Sequence, residues 1–251
     1  MPTNVLHSAR RHFLAEKPLV FTSDETMETT TIFSENAIVV DKVAQGLYDD
    51  AILSAKLTLG RLIPQLYTSN VRAWESEMVD SFLTWQDLQT PAWDDEDVSC
   101  ADFPICMKAF HVGSSGAISE ASLRLTSVTL LYNMALSFHL KGVATAEQRF
   151  SNLQKALSIY TKTLEVMSER RHELGPRERI LELAINNNMG NIYSYVGHTK
   201  HVISCLDRIR ELLIFSAYMS ELMQIECEIM HFKLNIFLFE SVLPHKHSPA
   251  A

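Results

Sequence analysis

A mainly α-helical architecture follows from three observations on this sequence. Gly and Pro number only eight each in 251 residues, whereas sandwiches and barrels use both freely in their turns. Apolar residues recur at intervals of three and four over long stretches, the period of one helix face. Three of those stretches share one plan: a helix, a glycine, then a second amphipathic helix. With 47% apolar and 21% charged residues, the chain can build a core, which excludes disordered, collagen-like and disulfide-scaffold classes.

The elements follow in order. Residues 1–33 read as an N-terminal arm, partly disordered, with a β-prone run at Pro18–Thr22. Residues 34–66 form a first hairpin, in which Ile38 and Val39 precede Gly46, and Tyr48, Ala51, Ala55 and Thr58 mark the second helix. Residues 67–119 are an insert. Its residues Val71, Trp74, Met78, Phe82, Trp85 and Leu88 predict an amphipathic helix. An acidic loop, Asp94–Asp97, comes next. Phe103–Val112 then alternates weakly, leaving room for one short strand pair with Pro18–Thr22 as partner. Residues 120–170 hold a second hairpin, with Leu131, Met134, Ala135 and Phe138 before Gly142, then Ala156, Tyr160 and Thr163. Residues 176–214 hold a third, in which Pro176 suits a first helical turn. Gly197 there ends the leading helix where a left-handed residue is usual. Residues 216–243 read as a capping helix and 244–251 as a disordered tail.

These hairpins resemble tetratricopeptide repeats, a 34-residue helix–turn–helix unit with the pattern W-x₂-L-G-x₂-Y…A-x₃-F…P. Met189, Gly190 and Tyr193 fall on L-G-x₂-Y in the third hairpin, and Met134, Ala135 and Phe138 in the second. Ala156 and Tyr160 fall on A-x₃-F. The spacings depart from a strict tandem, since the intervals from Gly46 to Gly142 and on to Gly197 both exceed 34 residues. The resemblance implies a TPR-like α–α superhelix whose leading helices line a concave groove. It also implies a non-catalytic scaffold or adaptor that binds a peptide or helix of a protein partner there. Tyr132, Asn133, Leu136 and His139 would share that groove with Asn187, Asn188, Asn191 and Tyr195.

The asparagines carry the chemistry of this expectation. Asn186, Asn187, Asn188 and Asn191 all lie on one leading helix, although Asn is a poor helix former. Solvent-facing positions are the plain explanation. The alternative is that side-chain amides, donor and acceptor at once, hold an extended peptide backbone. On that view Asn133→Ala with Asn188→Ala weakens partner capture and leaves the melt almost unchanged. A clamp for a chaperone's C-terminal carboxylate is not expected. Such a clamp uses cations at places where this chain has Asn36, Ala184 and Asn188, and a buried carboxylate needs a counter-charge.

Other chemistries find little support. Net charge is −8 with a pI near 5.7, which argues against nucleic acid. The main basic cluster, Lys155, Arg170, Arg171, Arg177 and Arg179, reads as a solvated loop and helix start. Cys100, Cys106, Cys205 and Cys227 contain no C-x₂-C pair and read as buried, reduced thiols. His198 with His201, and His245 with His247, lack a third ligand at a suitable offset, so no metal is expected. Neither a P-loop nor G-x-S-x-G occurs, the acidic runs read as solvated turns, and no cofactor or catalytic residue is expected. Arg10 and Arg11 have no apolar run behind them, and no window is apolar enough to span a membrane. A soluble chain of the cytoplasm or nucleus is the expectation. Two alternatives stand beside the interaction module: an enzyme whose insert folds over the scaffold, and an RNA-binding helical-repeat protein.

Overall fold

The computed structural model describes residues 29–68, 81–89, 105–114, 120–168, 176–217 and 229–238. Helices α1 (Thr29–Ala44) and α2 (Tyr48–Thr68) form the first hairpin. Strands β1 (Ser81–Asp87) and β2 (Lys108–Ser114) follow, then α3 (Glu120–Ala144), α4 (Arg149–Ser168), α5 (Pro176–Tyr195) and α6 (Thr199–Ala217). A last helix, α7, covers 229–238. Helix therefore dominates the described residues, as the scarcity of Gly and Pro predicts.

Each α1–α6 helix packs on the next in sequence, and the odd-numbered α1, α3 and α5 also touch in series. The apolar stripes are those the periodicity marks. Ala51, Ala55, Leu59 and Leu62 are buried on α2, and Val202, Cys205, Leu206, Ile209 and Leu212 on α6. Asp207 and Glu211 of α6 face solvent. Polar ties join neighbouring helices. Glu35 receives hydrogen bonds from Thr58 and Arg61, and Lys141 reaches Asp49 at 2.6 Å. Asp49 and Asp50 also lie in the first turn of α2, where carboxylates complement the helix dipole.

Gly46 and Gly197 end α1 and α5 with φ of 73° and 75°. At each, the residue after the glycine donates back five positions, Leu47 to Lys42 at 2.9 Å and His198 to Tyr193 at 2.8 Å. This paired pattern satisfies carbonyls that the helix end would leave open, and glycine alone adopts its backbone without penalty. Gly142 differs from the turn position expected of it. It lies inside α3 with no positive φ, and a Cβ there would meet Leu153 at 3.1 Å and the Arg149 carbonyl at 3.2 Å. Its small size lets α3 and α4 approach.

The insert departs furthest from expectation. Residues 81–87, assigned by period to an amphipathic helix, form strand β1. Phe82, Trp85 and Leu88 satisfy a three-residue spacing by coincidence. Aromatic and β-branched residues with a partner strand at hand settle the conformation instead. That partner is β2, antiparallel, with Trp85 opposite Phe110 and Ser81 opposite Ser114. The strand expected near Phe103–Val112 is present from Lys108. Its expected partner Pro18–Thr22, the acidic run Asp94–Asp97 and Trp74 lie outside the described residues. So do 218–228 and 239–243 of the expected capping helix, whose first two residues end α6. In α7, Ile229, Phe232 and Asn235 turn inward.

The glycines give a direct test. Gly197→Ala should cost roughly 1 kcal/mol through its left-handed backbone, since no atom lies within 4 Å of a new Cβ. Gly142→Leu should cost more, about 1–3 kcal/mol, by overpacking. Urea unfolding of both variants measures the order; equal effects would contradict the two distinct roles.

Candidate functional site

The edge of β2 that faces the helices defines the site. In an antiparallel pair, backbone N–H and C=O groups point to alternate edges from residue to residue. The Leu88 N–H donates to the Met107 carbonyl at 2.8 Å, so odd-numbered residues face β1. Lys108 and Phe110 of β2, and Cys106 two residues before it, therefore aim their backbone groups at α3 and α5. Among the described residues no third strand receives them; side chains do.

Asn133 of α3 accepts from the Phe110 N–H at 3.0 Å and donates through Nδ2 to the Phe110 carbonyl. Asn188 of α5 repeats the arrangement four residues earlier. Its Oδ1 accepts from the Cys106 N–H at 2.7 Å and its Nδ2 reaches the Cys106 carbonyl at 3.4 Å. Between them the Tyr132 hydroxyl donates to the Lys108 carbonyl at 3.0 Å. The same Asn188 amide also donates toward the Tyr160 hydroxyl at 3.2 Å and the Tyr132 hydroxyl at 3.4 Å. Asn36 of α1 adds a third amide, its Oδ1 accepting from Asn133 Nδ2 at 3.2 Å. Its own Nδ2 has no hydrogen-bond partner among the described residues.

A row of rings runs beneath the strand. Trp85 meets Phe110 at 6.0 Å, Phe110 meets Tyr132 edge-on at 5.1 Å, and Tyr132 meets Tyr160 at 5.9 Å. His139 closes the row against Tyr160 at 6.2 Å. Burial raises the pKa of both tyrosines, so they stay neutral hydroxyls. It lowers that of His139 to about 4, partly opposed by the hydrogen bond to Asn191. The helix groups that hold the strand are polar and uncharged, whereas the strand's own Lys108 lies over Trp85 and pairs with Asp87.

Seven of the eight expected groove residues are buried: Tyr132, Asn133, Leu136, His139, Asn187, Asn188 and Asn191. Asn133, Asn188 and Tyr132 meet on β2, while Leu136 joins the core. His139 Nε2–H donates to Asn191 Oδ1 at 3.0 Å, and Asn187 Oδ1 accepts from Asn235 of α7 at 2.6 Å. Tyr195 is half-buried at the end of α5, where its hydroxyl accepts from Arg149 at 2.9 Å. The asparagines are thus not solvent-facing, and the chain's own strand occupies Asn133 and Asn188. Cys106, Phe110 and Asn235 were outside the expected site; the alternation of Phe103–Val112 was the one signal for the first two.

The remaining candidates separate from this site. His198 and His201 are exposed and ring-stacked, His201 on Tyr193 at 4.7 Å. Among the described residues no group of His, Cys, Asp and Glu could hold a metal ion, and no helix is long and apolar enough to cross a membrane. Cys106 and Cys205 are buried, reduced thiols, with burial pushing Cys205 up to about 12. Cys100, Cys227, Arg170, Arg171, His245 and His247 lie outside the described residues. No family model matches the sequence, and neither a curated protein nor a solved structure matches it.

Removal of an amide must then cost stability, which corrects the expectation of an unchanged melt. Asn188→Ala leaves the buried Cys106 N–H and carbonyl without this partner, a loss of about 2–4 kcal/mol. Asn186→Ala should cost under about 1 kcal/mol, because among the described residues its amide bonds only the Glu182 carbonyl one turn back. Denaturant melts of the two variants test the contrast, and equal losses would remove the strand-holding role.

His139 makes stability depend on pH. Its pKa lies near 4 when folded and near 6.5 when unfolded, so only the unfolded chain gains the proton between them. The contribution is complete above pH 6.5 and is lost as pH falls to 4, approaching roughly 3 kcal/mol. The stability difference between wild type and His139→Gln, followed from pH 7 to 4, should shrink by that amount. A difference independent of pH would show that the imidazole protonates freely in the fold.

Proposed function

We propose that this chain is a non-catalytic protein-interaction module of tetratricopeptide-like hairpins, receiving an extended segment of a protein partner along its leading helices. One observation carries the reading. Asn133 and Asn188, on two different leading helices, each grip both backbone groups of one residue, Phe110 within β2 and Cys106 two residues before it. Backbone recognition of this kind serves any extended chain, with pockets for alternate side chains adding specificity. Local repeat motifs and sequential helix packing support the scaffold part of the reading. The uncharged lining favours an internal segment over a chain terminus, since a terminal carboxylate would need a cation.

Tyr195 offers a test because it is half-buried at the end of a leading helix. A photo-crosslinking residue placed there, in the full chain in its native cell, should yield a discrete protein adduct. The same group at Glu165, exposed on α4, should yield none. Equal labelling from both positions, or from neither, would count against a partner in this groove.

A further inference from the structure

We propose that β2 is a resident ligand, a stand-in that a partner's extended segment replaces, and that this segment carries a small residue and an aromatic ring four positions later. The proposal rests on the interaction-module reading and specifies its partner. Three features of the groove lead to it.

First, the groove holds β2 and the residues just before it through backbone groups of Cys106, Lys108 and Phe110, none of which depends on side-chain identity. Another extended chain in the same register meets the same partners. Second, two positions do select. The residue at Cys106 is fully buried where Asn188 also touches the Tyr132 and Tyr160 hydroxyls, so it must be small. The residue at Phe110 is fully buried edge-on to Tyr132 at 5.1 Å, so it should be aromatic. Third, the resident strand leaves the groove incompletely satisfied. Asn36 is fully buried and bonded to Asn133, which grips the strand, yet its Nδ2 finds no partner among the described residues. A buried donor without an acceptor is costly, and a partner carbonyl reaching Asn36 would remove that cost. A competing segment thus has a contact available that β2 does not make.

Tethering sets the scale of the competition. A strand joined to its own groove has an effective concentration on the order of mM. A free peptide with the same contacts must therefore reach several mM, whereas a partner that also engages Asn36 displaces β2 at lower concentration.

The test uses the wild-type full chain and an eight-residue peptide of the sequence Ile105–Val112, with alanine in place of its cysteine. Amide hydrogen exchange is followed with and without the peptide at several mM. The expected result is at least tenfold faster exchange across residues 105–114, with α5 and α6 unchanged. The peptide with alanine also replacing its phenylalanine should have no such effect. If labelled peptide binds by fluorescence anisotropy while 105–114 stays protected, the resident-ligand proposal is overturned, and the interaction reading stands or falls on the Tyr195 crosslink. No binding and no change in exchange overturn it as well. Conversion to a dimer with rising protein concentration, with 105–114 protected in that dimer and unprotected in the monomer, would assign the groove to a second copy and overturn the partner proposal.

Discussion

The helix-facing edge of β2 imposes the constraint on which this fold depends. Its backbone donors and acceptors are buried, and a buried peptide group left without a partner costs about 1–3 kcal/mol. A two-stranded sheet supplies only one ladder, so one edge of each strand stays open. Here Asn133, Tyr132 and Asn188 take the place of a third strand. That substitution fixes register. A slip of one residue would turn the Phe110 ring to the other face and offer the wrong edge to the amides. Strand, rings and leading helices therefore hold one another in a single alignment.

Amides at these positions contribute specificity more than stability. A hydrogen bond formed on folding adds roughly 0.5–1.5 kcal/mol net, less than its loss costs. Asparagine also lowers the helix propensity of α5, where it occurs in three consecutive positions. An apolar groove would bury a strand without reading its register; paired donor and acceptor at Asn133 and Asn188 read it twice. Burial keeps the surrounding groups neutral, with both tyrosines raised and His139 lowered to about 4. The helices thus hold the chain's own strand by shape and hydrogen-bond pattern rather than by charge.

Periodicity made the helices legible, because each buries one stripe against its neighbour. Leu206 and Ile209 on α6, or Ala51 and Ala55 on α2, follow directly from spacing. Gly46 and Gly197 were legible for a similar reason, since each needs a left-handed backbone. Their likeness misled at Gly142, where small size matters and not φ. The strand β1 was illegible locally, for residues 82, 85 and 88 suit a helix as well as a strand, and pairing with β2, well separated in sequence, decided the outcome. The amides were legible as backbone-reading groups, but their occupant was not. Nothing in the spacing of Asn133 and Asn188 says whether the chain they hold is foreign or its own.

The four-residue step between Cys106 and Phe110 links the strand to the helical stack. An even step is required, because only residues of equal parity present the same edge. Four residues of extended chain cover about 13 Å, and here that span runs from Asn188 on α5 to Asn133 on α3. Asn188 and Asn133 each hold both backbone groups of one residue at the two ends of that span, and Asn36 of α1 bonds Asn133. There the pattern stops short, for the Asn36 Nδ2 holds no acceptor among the described residues. Two of these three amides engage the segment from Cys106 to Phe110, and the third engages it only through Asn133.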